Sequence, residues 1–468
     1  MALAHDVMEH LDAQVIIVGA GLSGLQAARI LSKAGITNIV LEARSRPGGK
    51  CLSVPNSHGG GIADLGAEWT NDTTHPRVFA LIHELDLEVE RVRLDGKAVL
   101  EDLDGNVIVH PYGTQAPLPD GEERLIDQMR TVFASHYDCV DLKIPYQGTE
   151  ANDDITLEQF TLRLGGTRST LASVGVWTRV MLGCEPSELS AAYFFLYCKS
   201  QGGLMKMRSG TTQGTYCSIK TGAQSLAHGL CDLLDPGTVR LSTPVKSISD
   251  RFHSVEVRSA SGEIFRARKC IVALATPLYA KVRFEPPLRK EKAEYAASTR
   301  LGRYTKILLT YQRPWWRETG LSGASQSFIG PMSATRDTSD PSTELYRITG
   351  FIAGLQAERF TELTSVEQKE MVLDQLSRLF SADMAKNPTD FVVLEWACEE
   401  WSGGCPCPFT PPGVLFSKGK YLKEPHGNVH FAGTETAEEW IGYMEGALSS
   451  GSRVAAEILS LLYNETRV

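Results

Sequence analysis

A glycine-rich segment near the N-terminus constrains the fold of this chain more than any other feature. Residues 14–18, QVIIV, form an apolar, β-branched run, GAGLSG follows, and QAARILSKAG then shows helical apolar spacing with a glycine stop. This order predicts a strand, a tight turn and a helix. Gly19, Gly21 and Gly24 match the G-x-G-x-x-G pattern, in which glycines permit the turn, a close approach of the backbone to a pyrophosphate, and close contact between helix and sheet.

The next segment supports a dinucleotide site. The second predicted strand, NIVLEA, ends in Glu42, eighteen residues after Gly24, where an acid can accept hydrogen bonds from ribose hydroxyls. An ordinary exposed glutamate after a glycine turn is the alternative. Gly48, Gly49 and the basic Lys50 would then bring backbone donors and a cation to an anion held at a helix N-terminus.

A third segment favours FAD as the dinucleotide. IADLGAEWTN, residues 62–71, places Gly66 and Ala67 side by side after a short predicted strand, where the backbone can approach a flat ring. Together with the two predicted phosphate contacts, this indicates a long cofactor that is held permanently.

Length and charge limit the remaining possibilities. A chain of 468 residues exceeds one ordinary core, so we expect two domains of multi-layer α/β architecture. A net charge of -9 without a long Lys/Arg run argues against a nucleic-acid or anionic-membrane surface. The first thirteen residues lack the pattern of a secretory signal, and the most apolar window, residues 189–198, is about half of the roughly 20 residues that a membrane helix needs. We therefore expect a soluble protein in the cytoplasm or a peroxisome.

The segment WSGGCPCPFTPPG, residues 401–413, places Cys405 and Cys407 one residue apart. A metal clip needs three or four ligands, and no histidine lies between residues 254 and 424. A disulfide between cysteines this close would be strained, and a thioredoxin-like pair is C-x-x-C. Two free thiols in a proline-rich loop and the attachment of a group to one of them remain as interpretations.

Several of these motifs carry a family resemblance. GAGLSG, LEARSRPGGK, DLGAEW and HFAGTETAEEWIGYMEGAL resemble the flavin-dependent monoamine oxidases, from about Gln14 to about Leu462. The middle region, including LGRYTKILLTYQRPWWRETGLSG, is similar to the fungal aminopolyol amine oxidases, which deaminate fumonisin-type long-chain amines.

The resemblance implies an α/β fold. A Rossmann-like FAD-binding domain of the glutathione-reductase type would carry an inserted α+β substrate domain built of a sheet and helices. On this basis we assign residues 1–88, 218–292 and 399–468 to the FAD-binding domain, and residues 89–217 and 293–398 to the substrate-binding domain.

The resemblance also implies the cofactor site. In the membrane monoamine oxidases a cysteine directly after Ser-Gly-Gly carries a thioether to the flavin 8α-methyl, and Cys405 stands at that place. Covalent FAD is favoured on this match, with non-covalent FAD, as in soluble fungal relatives, as the alternative. The expected cofactor-binding residues are Gly19, Gly21, Ser23, Gly24, Glu42, Arg44, Gly49, Lys50, Gly66, Ala67, Glu68, Trp69, Val245, Cys405, Gly433, Thr434, Glu435, Tyr443 and Met444.

The C-terminal block has its own predicted role in that site. Gly433, Thr434 and Glu435 follow a predicted strand and would present donors to the pyrophosphate. A helix that begins near Tyr443 and Met444 would face the pyrimidine edge of the flavin, where negative charge gathers on reduction and a helix N-terminus is favourable.

Lys306 is the candidate polar residue at the reaction site. In YTKILLTY it shares a strand face with Tyr304 and Leu308, and a lysine among apolar neighbours is costly unless it has a partner. A lysine that extends its head into solvent is the alternative. The matching family lysine holds a water against flavin N5, so the resemblance implies this role for Lys306.

The family flanks its substrate amine with two parallel aromatic rings. Tyr443 matches one of them, but the other position, directly after the flavin cysteine, is Pro406 here. Trp401, Trp69 or another ring could take that place, and Trp401 is counted with Lys306 and Tyr443 as a candidate catalytic residue. We expect the proline to widen the cavity for a longer or branched amine.

The function implied by the resemblance is FAD-dependent oxidative deamination of a primary amine, long-chain or aminopolyol, to a carbonyl compound, ammonia and hydrogen peroxide, with O2 as the second substrate. The alternatives are a polyamine oxidase, an L-amino-acid oxidase, for which Arg303 is an available cavity arginine, and a non-catalytic protein resembling GDP-dissociation inhibitors. No metal is expected, and only YNETRV follows the last predicted helix, so no membrane anchor is expected. Monomer and homo-oligomer both remain open.

Overall fold

The computed structural model describes residues 11–57, 60–118, 121–207, 216–340 and 343–465. The first ten residues, on which the expectation about secretion largely rests, lie outside these ranges. The strands are β1 Val15–Val18, β2 Asn38–Leu41, β3 Ser53–Pro55, β4 Ile62–Asp64, β5 Trp69–Asn71, β6 Val89–Arg91, β7 Lys97–Glu101, β8 Val107–Pro111, β9 Tyr216–Ile219, β10 Val239–Arg240, β11 Val245–Asp250, β12 Val255–Ser259, β13 Ile264–Ala267, β14 Lys269–Val272, β15 Arg283–Glu285, β16 Arg300–Leu301, β17 Tyr304–Tyr311, β18 Leu321–Ser327, β19 Met332–Asp337, β20 Tyr346–Ala353, β21 Asp390–Glu395, β22 Pro408–Phe409 and β23 Val429–Phe431. The α-helices are α1 Leu22–Lys33, α2 Pro76–Glu84, α3 Glu123–Asp138, α4 Glu150–Asp153, α5 Leu157–Arg163, α6 Arg168–Leu182, α7 Ala191–Ser200, α8 Ser225–Asp232, α9 Lys290–Ser298, α10 Trp315–Glu318, α11 Leu355–Thr361, α12 Ser365–Phe380, α13 Leu415–Lys418 and α14 Met444–Glu465.

A parallel sheet forms the nucleotide side of the molecule, with strand order β10-β2-β1-β14-β23. All four residues of β1 are buried, as expected for a parallel strand that is covered on both faces. Helices α1 and α14 pack on one face of it through Leu25, Leu31, Val454 and Ile458. Their backbones come close because Gly451 has no side chain, and a Cβ there would lie 2.3 Å from the carbonyl oxygen of Ser23.

A larger, mostly antiparallel sheet forms the other side, with strand order β21-β17-β20-β19-β18-β7-β8. Strand β17 lies between β21 and β20, and every one of its residues except Tyr304 is buried. Helix α12 covers part of this sheet with Val372 and Leu376, and a capping box of Thr364 and Glu367 begins that helix. This sheet contains the segment in which Lys306 is found.

The predicted strands around Gly262 have the expected form. Strands β11, β12 and β13 are antiparallel neighbours, and Gly262 has a φ of 93°, a conformation that favours glycine in the turn between β12 and β13. Strand β14 then enters the parallel sheet between β1 and β23, so the chain returns to the nucleotide side as predicted. The exact domain boundaries remain a prediction.

The most apolar window of the sequence forms helix α7. Its residues are buried apart from Lys199, and they pack against Phe133, Phe160 and Phe409 in a core of their own. Within the residues that the structure describes, no helix is both long and apolar enough to cross a membrane.

Candidate active site

A cavity of about 570 Å³ is lined by residues of both large sheets and of the segments that join them. It collects almost all the residues that the sequence singled out. Lining positions among the predicted cofactor residues are Gly19, Gly21, Ser23, Glu42, Arg44, Gly49, Lys50, Gly66, Ala67, Glu68, Trp69, Val245, Cys405, Gly433, Thr434, Glu435, Tyr443 and Met444, and Lys306 and Trp401 also line it. Gly24 is not among the described residues that line the cavity, and its backbone packs closely against that of Gly19.

The glycine turn has the geometry expected of a pyrophosphate site. A Cβ on Gly24 would lie 2.0 Å from the carbonyl oxygen of Gly19, and Gly19 itself has a φ of 105°. Gly21 faces open space, since nothing lies within 4 Å of the place where its Cβ would be. Gly21 is also the N-cap of α1 and offers no side chain to the free N–H groups of the first turn. An uncapped helix N-terminus at an open cavity fits an anionic group.

Glu42 is fixed by the backbone of the same turn. Its carboxylate accepts hydrogen bonds from the Ala20 N–H at 2.8 Å and from the Arg44 N–H at 2.9 Å, and it is buried. The Arg44 guanidinium donates to Glu399 Oε2 and to Ser402 Oγ, both at 2.8 Å. The acid therefore stands at the end of β2 beside the turn, where a ribose hydroxyl could donate to it.

Two groups that were expected to donate to a phosphate also have protein partners. Lys50 Nζ donates to the carbonyl oxygen of Pro406 at 2.8 Å. The Gly433 N–H is directed at Ser23 Oγ and at Ser450 Oγ, at 3.1 Å in each case. The start of α1, which has no side-chain cap, offers further N–H donors to an anion on this side of the cavity.

The Thr434 side chain also has hydrogen-bond partners within the protein. Its hydroxyl donates to the Tyr443 carbonyl oxygen at 3.1 Å and accepts from the Gly442 N–H at 2.8 Å. Glu435 accepts from the Thr276 N–H at 2.9 Å, and burial raises the pKa of its carboxyl. These contacts hold the loop in front of α14 in place, and α14 begins at Met444 on the cavity wall.

Lys306 has the partner that its surroundings require. Its Nζ lies 2.6 Å from Glu68 Oε2 and 3.2 Å from the Gly66 carbonyl oxygen, and it stands 5.4 Å from the centre of the Trp69 ring. The side chains of Lys306 and Glu68 are only 3% and 9% exposed. The alternative of a lysine that extends into solvent is therefore wrong.

Two aromatic residues beside Lys306 were not predicted as site residues. Strand register places Phe351 directly opposite Lys306, and the Phe351 ring lies 5.8 Å from those of Trp69 and Tyr304. Tyr304 could have been selected from the sequence, because it shares its strand face with Lys306. Phe351 could not, because only the pairing of β17 with β20 brings it there.

Tyr443, which matches one ring of the cage, and Trp401, a candidate for the missing ring, lie in different surroundings. Tyr443 lines the cavity and packs edge-on to Trp440 at 5.1 Å, and burial raises its pKa to about 12. Trp401 has Lys281 Nζ 5.5 Å from its ring centre, and its neighbour Ser402 accepts from Arg44. These contacts group Trp401 with the nucleotide-side residues, and its catalytic role remains a prediction.

The two neighbouring cysteines point in different directions. Cys405 lines the cavity, while Cys407 is fully buried in the core around α7. Both are free thiols. Burial raises the pKa of the Cys405 thiol, and the charges of Lys50 and Lys306 oppose that rise.

Arg303 is not an arginine of the cavity. Its Nη2 lies 2.5 Å from Glu188 Oε2, and its Nε donates to the Gly354 carbonyl oxygen at 3.3 Å. It is absent from the described residues that line the cavity, whereas Arg130 and Arg336 are among them.

Known proteins share both the sequence pattern and this fold. A family model described as flavin containing amine oxidoreductase matches residues 22–459. Over 458 residues the chain is 31% identical to the flavin-containing amine oxidase B of Sus scrofa, which covers 95% of this chain and 86% of that protein. The structure of cyclohexylamine oxidase from Brevibacterium oxydans IH-35A is 30% identical, with a TM-score of 0.91 over 97% of this chain and 100% of that one.

Putrescine oxidase, at 24% identity and a TM-score of 0.90, covers 96% of this chain and 99% of that chain and shows the same fold. The predicted α/β fold is thus confirmed, as are the resemblance to flavin amine oxidases and the expectation of an enzyme, while a non-catalytic binding protein is not supported. The chain belongs to the flavin-containing amine oxidoreductase family and is a flavin-dependent amine oxidase.

Proposed function

We propose that the protein is an FAD-dependent oxidase of primary amines that uses O2 and releases a carbonyl compound, ammonia and hydrogen peroxide. When bound, FAD accepts the hydrogen removed from the carbon next to the amine nitrogen and passes the electrons to O2. The observation that carries this proposal is the position of the Lys306–Glu68 pair, buried in the wall of the same cavity that meets the uncapped start of α1.

The chain itself orients the amine and limits water. Trp69, Tyr304 and Phe351 provide an aromatic surface beside Lys306, and Tyr443 lines the same cavity. Burial at this wall favours the neutral amine over the ammonium ion, because Glu68 is already paired with Lys306 and the charged form would lack a counter-charge. The neutral amine is the form whose nitrogen has a free lone pair.

Lys306 is placed to hold a water molecule. An ammonium group has three N–H donors, and two of them have partners here, Glu68 and the Gly66 carbonyl oxygen. The third donor is available to a water on the cavity side. This supports the role that the family resemblance implies for Lys306.

We propose a thioether between Cys405 and the flavin. Its support is the Ser-Gly-Gly-Cys context and the place of Cys405 on the cavity wall, where the charges of Lys50 and Lys306 act on its thiol. Precipitation of the yellow protein with acid tests it: colour should stay in the pellet for wild type and for Cys407→Ala, and move to the supernatant for Cys405→Ala. Colour in the wild-type supernatant would instead show non-covalent FAD.

We propose a long-chain primary amine, including aminopolyols, as the substrate. The cavity continues beyond Lys306 to polar residues of β8, the following turn and β18, among them His110, Tyr112, Gln115 and Gln326. A polar far end suits a chain that carries oxygen atoms. A polyamine oxidase is less well supported, since Glu42, Glu68 and Glu435 are the acids of the described lining and all have partners on the nucleotide side or at Lys306.

An amine panel with peroxide detection tests the function. We expect peroxide with long alkyl amines and amino alcohols at a higher kcat/KM than with benzylamine, and little with Lys306→Met. A yellow protein that oxidises none of these amines would overturn the proposal, and a clear preference for benzylamine would overturn the substrate class.

A further inference from the structure

Arg336 is an arginine on the cavity wall that forms no ion pair with the acidic residues the structure describes. It lies in β19 with its side chain partly exposed to the cavity, and the hydrogen bond found for that side chain among the described residues runs from Nη1 to the carbonyl oxygen of Thr335 at 2.9 Å. No carboxylate among the described residues lies within ion-pair distance of it. The neighbouring Asp337 is no exception, because it is bound to Arg317 at 2.7 Å.

The other arginine on this part of the wall, Arg130, differs from Arg336 because it has an acidic partner. Arg130 donates to Asp127 Oδ1 at 2.8 Å and to Gln115 Oε1 at 2.7 Å, and its guanidinium lies 5.2 Å from the Trp177 ring centre. A guanidinium has five N–H donors and keeps its charge at all ordinary pH values. A cation that is partly withdrawn from water without a counter-charge is unfavourable, so the donors of Arg336 are available to a ligand.

The sheet fixes Arg336 relative to Lys306. Register pairs Lys306 with Phe351 and Phe351 with Ala334, so these three side chains share one face of the sheet. Arg336 follows Ala334 by two residues and therefore lies on the same face. Two strand spacings and two residues along the strand separate the Cα atoms of Lys306 and Arg336 by roughly 12 Å.

The charge of Arg336 also acts on Tyr304, which shares the strand face of Lys306. Burial strongly raises the pKa of the Tyr304 phenol, and the nearby guanidinium of Arg336 opposes that rise. The part of the lining that comes from β7, β8, α6, β18 and β19 contains no Asp or Glu among the described residues. No acid of this part of the described lining therefore balances the charge of Arg336.

We propose that Arg336 binds a carboxylate carried by the amine substrate at the end away from the amine. This inference rests on the proposed function and narrows its substrate class to long-chain primary amines with a distal acid group. The carboxylate of an α-amino acid, about two bonds from its nitrogen, is too near to reach Arg336 when the amine lies beside Lys306. The second cation of a polyamine would be repelled there.

A matched pair of substrates tests the proposal. 8-Aminooctanoate and octylamine have the same chain and differ in the terminal carboxylate, so the ratio of their kcat/KM values isolates its contribution. In wild type we expect the ratio to favour 8-aminooctanoate. It should fall about 10- to 100-fold in Arg336→Leu, the range of a charge-assisted hydrogen bond, and less in Arg336→Lys, which keeps the charge but loses the planar fork.

Inhibition by octanoate gives a second readout that does not depend on turnover. Its inhibition constant against octylamine should rise by a similar factor in Arg336→Leu. FAD content and thermal unfolding of each variant show whether it is folded. An unchanged ratio and an unchanged inhibition constant in a folded, yellow Arg336→Leu protein would overturn the role of Arg336, whereas the absence of peroxide with either amine in wild type would overturn the proposed function itself.

Discussion

Lys306 Nζ and Glu68 Oε2 lie 2.6 Å apart in the wall of the cavity, and each is almost removed from solvent. Their mutual attraction offsets the cost of burying two charges, so the burial of each charge depends on the presence of the other. The pair also joins the two sides of the molecule, because Lys306 lies in β17 of the large sheet while Glu68 follows the short hairpin of β3 and β4. A change at either residue should therefore affect both stability and chemistry.

Removing one member of this pair should be worse for folding than removing both. We expect Lys306→Met to lower the free energy of unfolding by about 3–5 kcal/mol, because it leaves the Glu68 carboxylate buried without a counter-charge. Lys306→Met combined with Glu68→Leu should recover most of that loss, yet both proteins should stay inactive. Urea denaturation and peroxide release measure the two effects.

The control for this cycle is Lys33→Met, since Lys33 pairs with Glu84 at the surface and its side chain is 60% exposed. Its effect on stability should stay within about 1 kcal/mol. A double variant no more stable than Lys306→Met would contradict the view that the unpaired carboxylate is the source of the cost.

The glycine turn should tolerate no side chain at Gly24. An added Cβ would lie 2.0 Å from the carbonyl oxygen of Gly19, so Gly24→Ala must move the turn that faces the cavity. We expect a loss of bound FAD on gel filtration and a weaker apparent affinity on titration of the apoprotein. Gly175→Ala is the matched control, since Gly175 lies inside α6 and its Cβ would have no neighbour nearer than 3.8 Å. It should keep its FAD and be up to about 1 kcal/mol more stable.

The sequence was sufficient to predict those features that depend on residues close together in the chain. The run around Val15–Val18, the turn and the first helix follow from residue types a few positions apart, and Glu42 follows from its distance to the turn. The buried state of Lys306 could also be expected, because a charged residue in an apolar strand needs a partner.

The contact partners of the site residues could not be predicted, because they come from distant parts of the chain. Phe351 reaches Lys306 through strand register, Lys50 reaches Pro406 across more than three hundred residues of chain, and Arg336 faces the cavity because β19 pairs with β20. Register between distant strands depends on the whole core, so no short pattern in one sequence encodes it. Arg303, which was considered from the sequence as a cavity arginine, is paired with Glu188 instead. This contact also joins distant parts of the chain and could not be read from a short pattern.

Asp64 should make stability depend on pH. It is buried, accepts from the Ala223 N–H at 3.0 Å, and burial followed by the charge of Glu68 raises its pKa to about 7. Between about pH 4 and pH 7 the folded protein then keeps a proton that the unfolded chain has lost, so stability falls as pH rises through this window and levels off above it.

Asp64→Asn cannot lose that proton, and its stability should not fall over this range. Relative to wild type, the variant should gain stability between pH 5 and pH 8, by about 4 kcal/mol at most, and thermal unfolding at several pH values measures the gain. Asp127→Asn, an exposed residue of α3, is the control and should follow wild type at each pH. If Asp64→Asn kept the wild-type dependence of stability on pH, that dependence would come from other groups.

Glu445 should be the residue that holds the start of α2. Helix α2 has no side-chain N-cap of its own, and the buried Glu445 carboxylate accepts from the N–H groups of Arg77 and Val78, each at 3.0 Å, and from Arg77 Nη1 at 3.0 Å. We expect Glu445→Ala to lower the free energy of unfolding by about 3 kcal/mol, because two helix donors lose an ionised acceptor inside the protein. Because Glu445 follows Met444 on the cavity wall, bound FAD should also be released at a lower urea concentration.

Glu465→Ala is the matched control at the other end of α14. There the carboxylate pairs with Arg268 and Lys269 near the surface and is 39% exposed, so its loss should lower the free energy of unfolding by less than about 1 kcal/mol. Equal losses in the two variants would show that α2 does not depend on this contact.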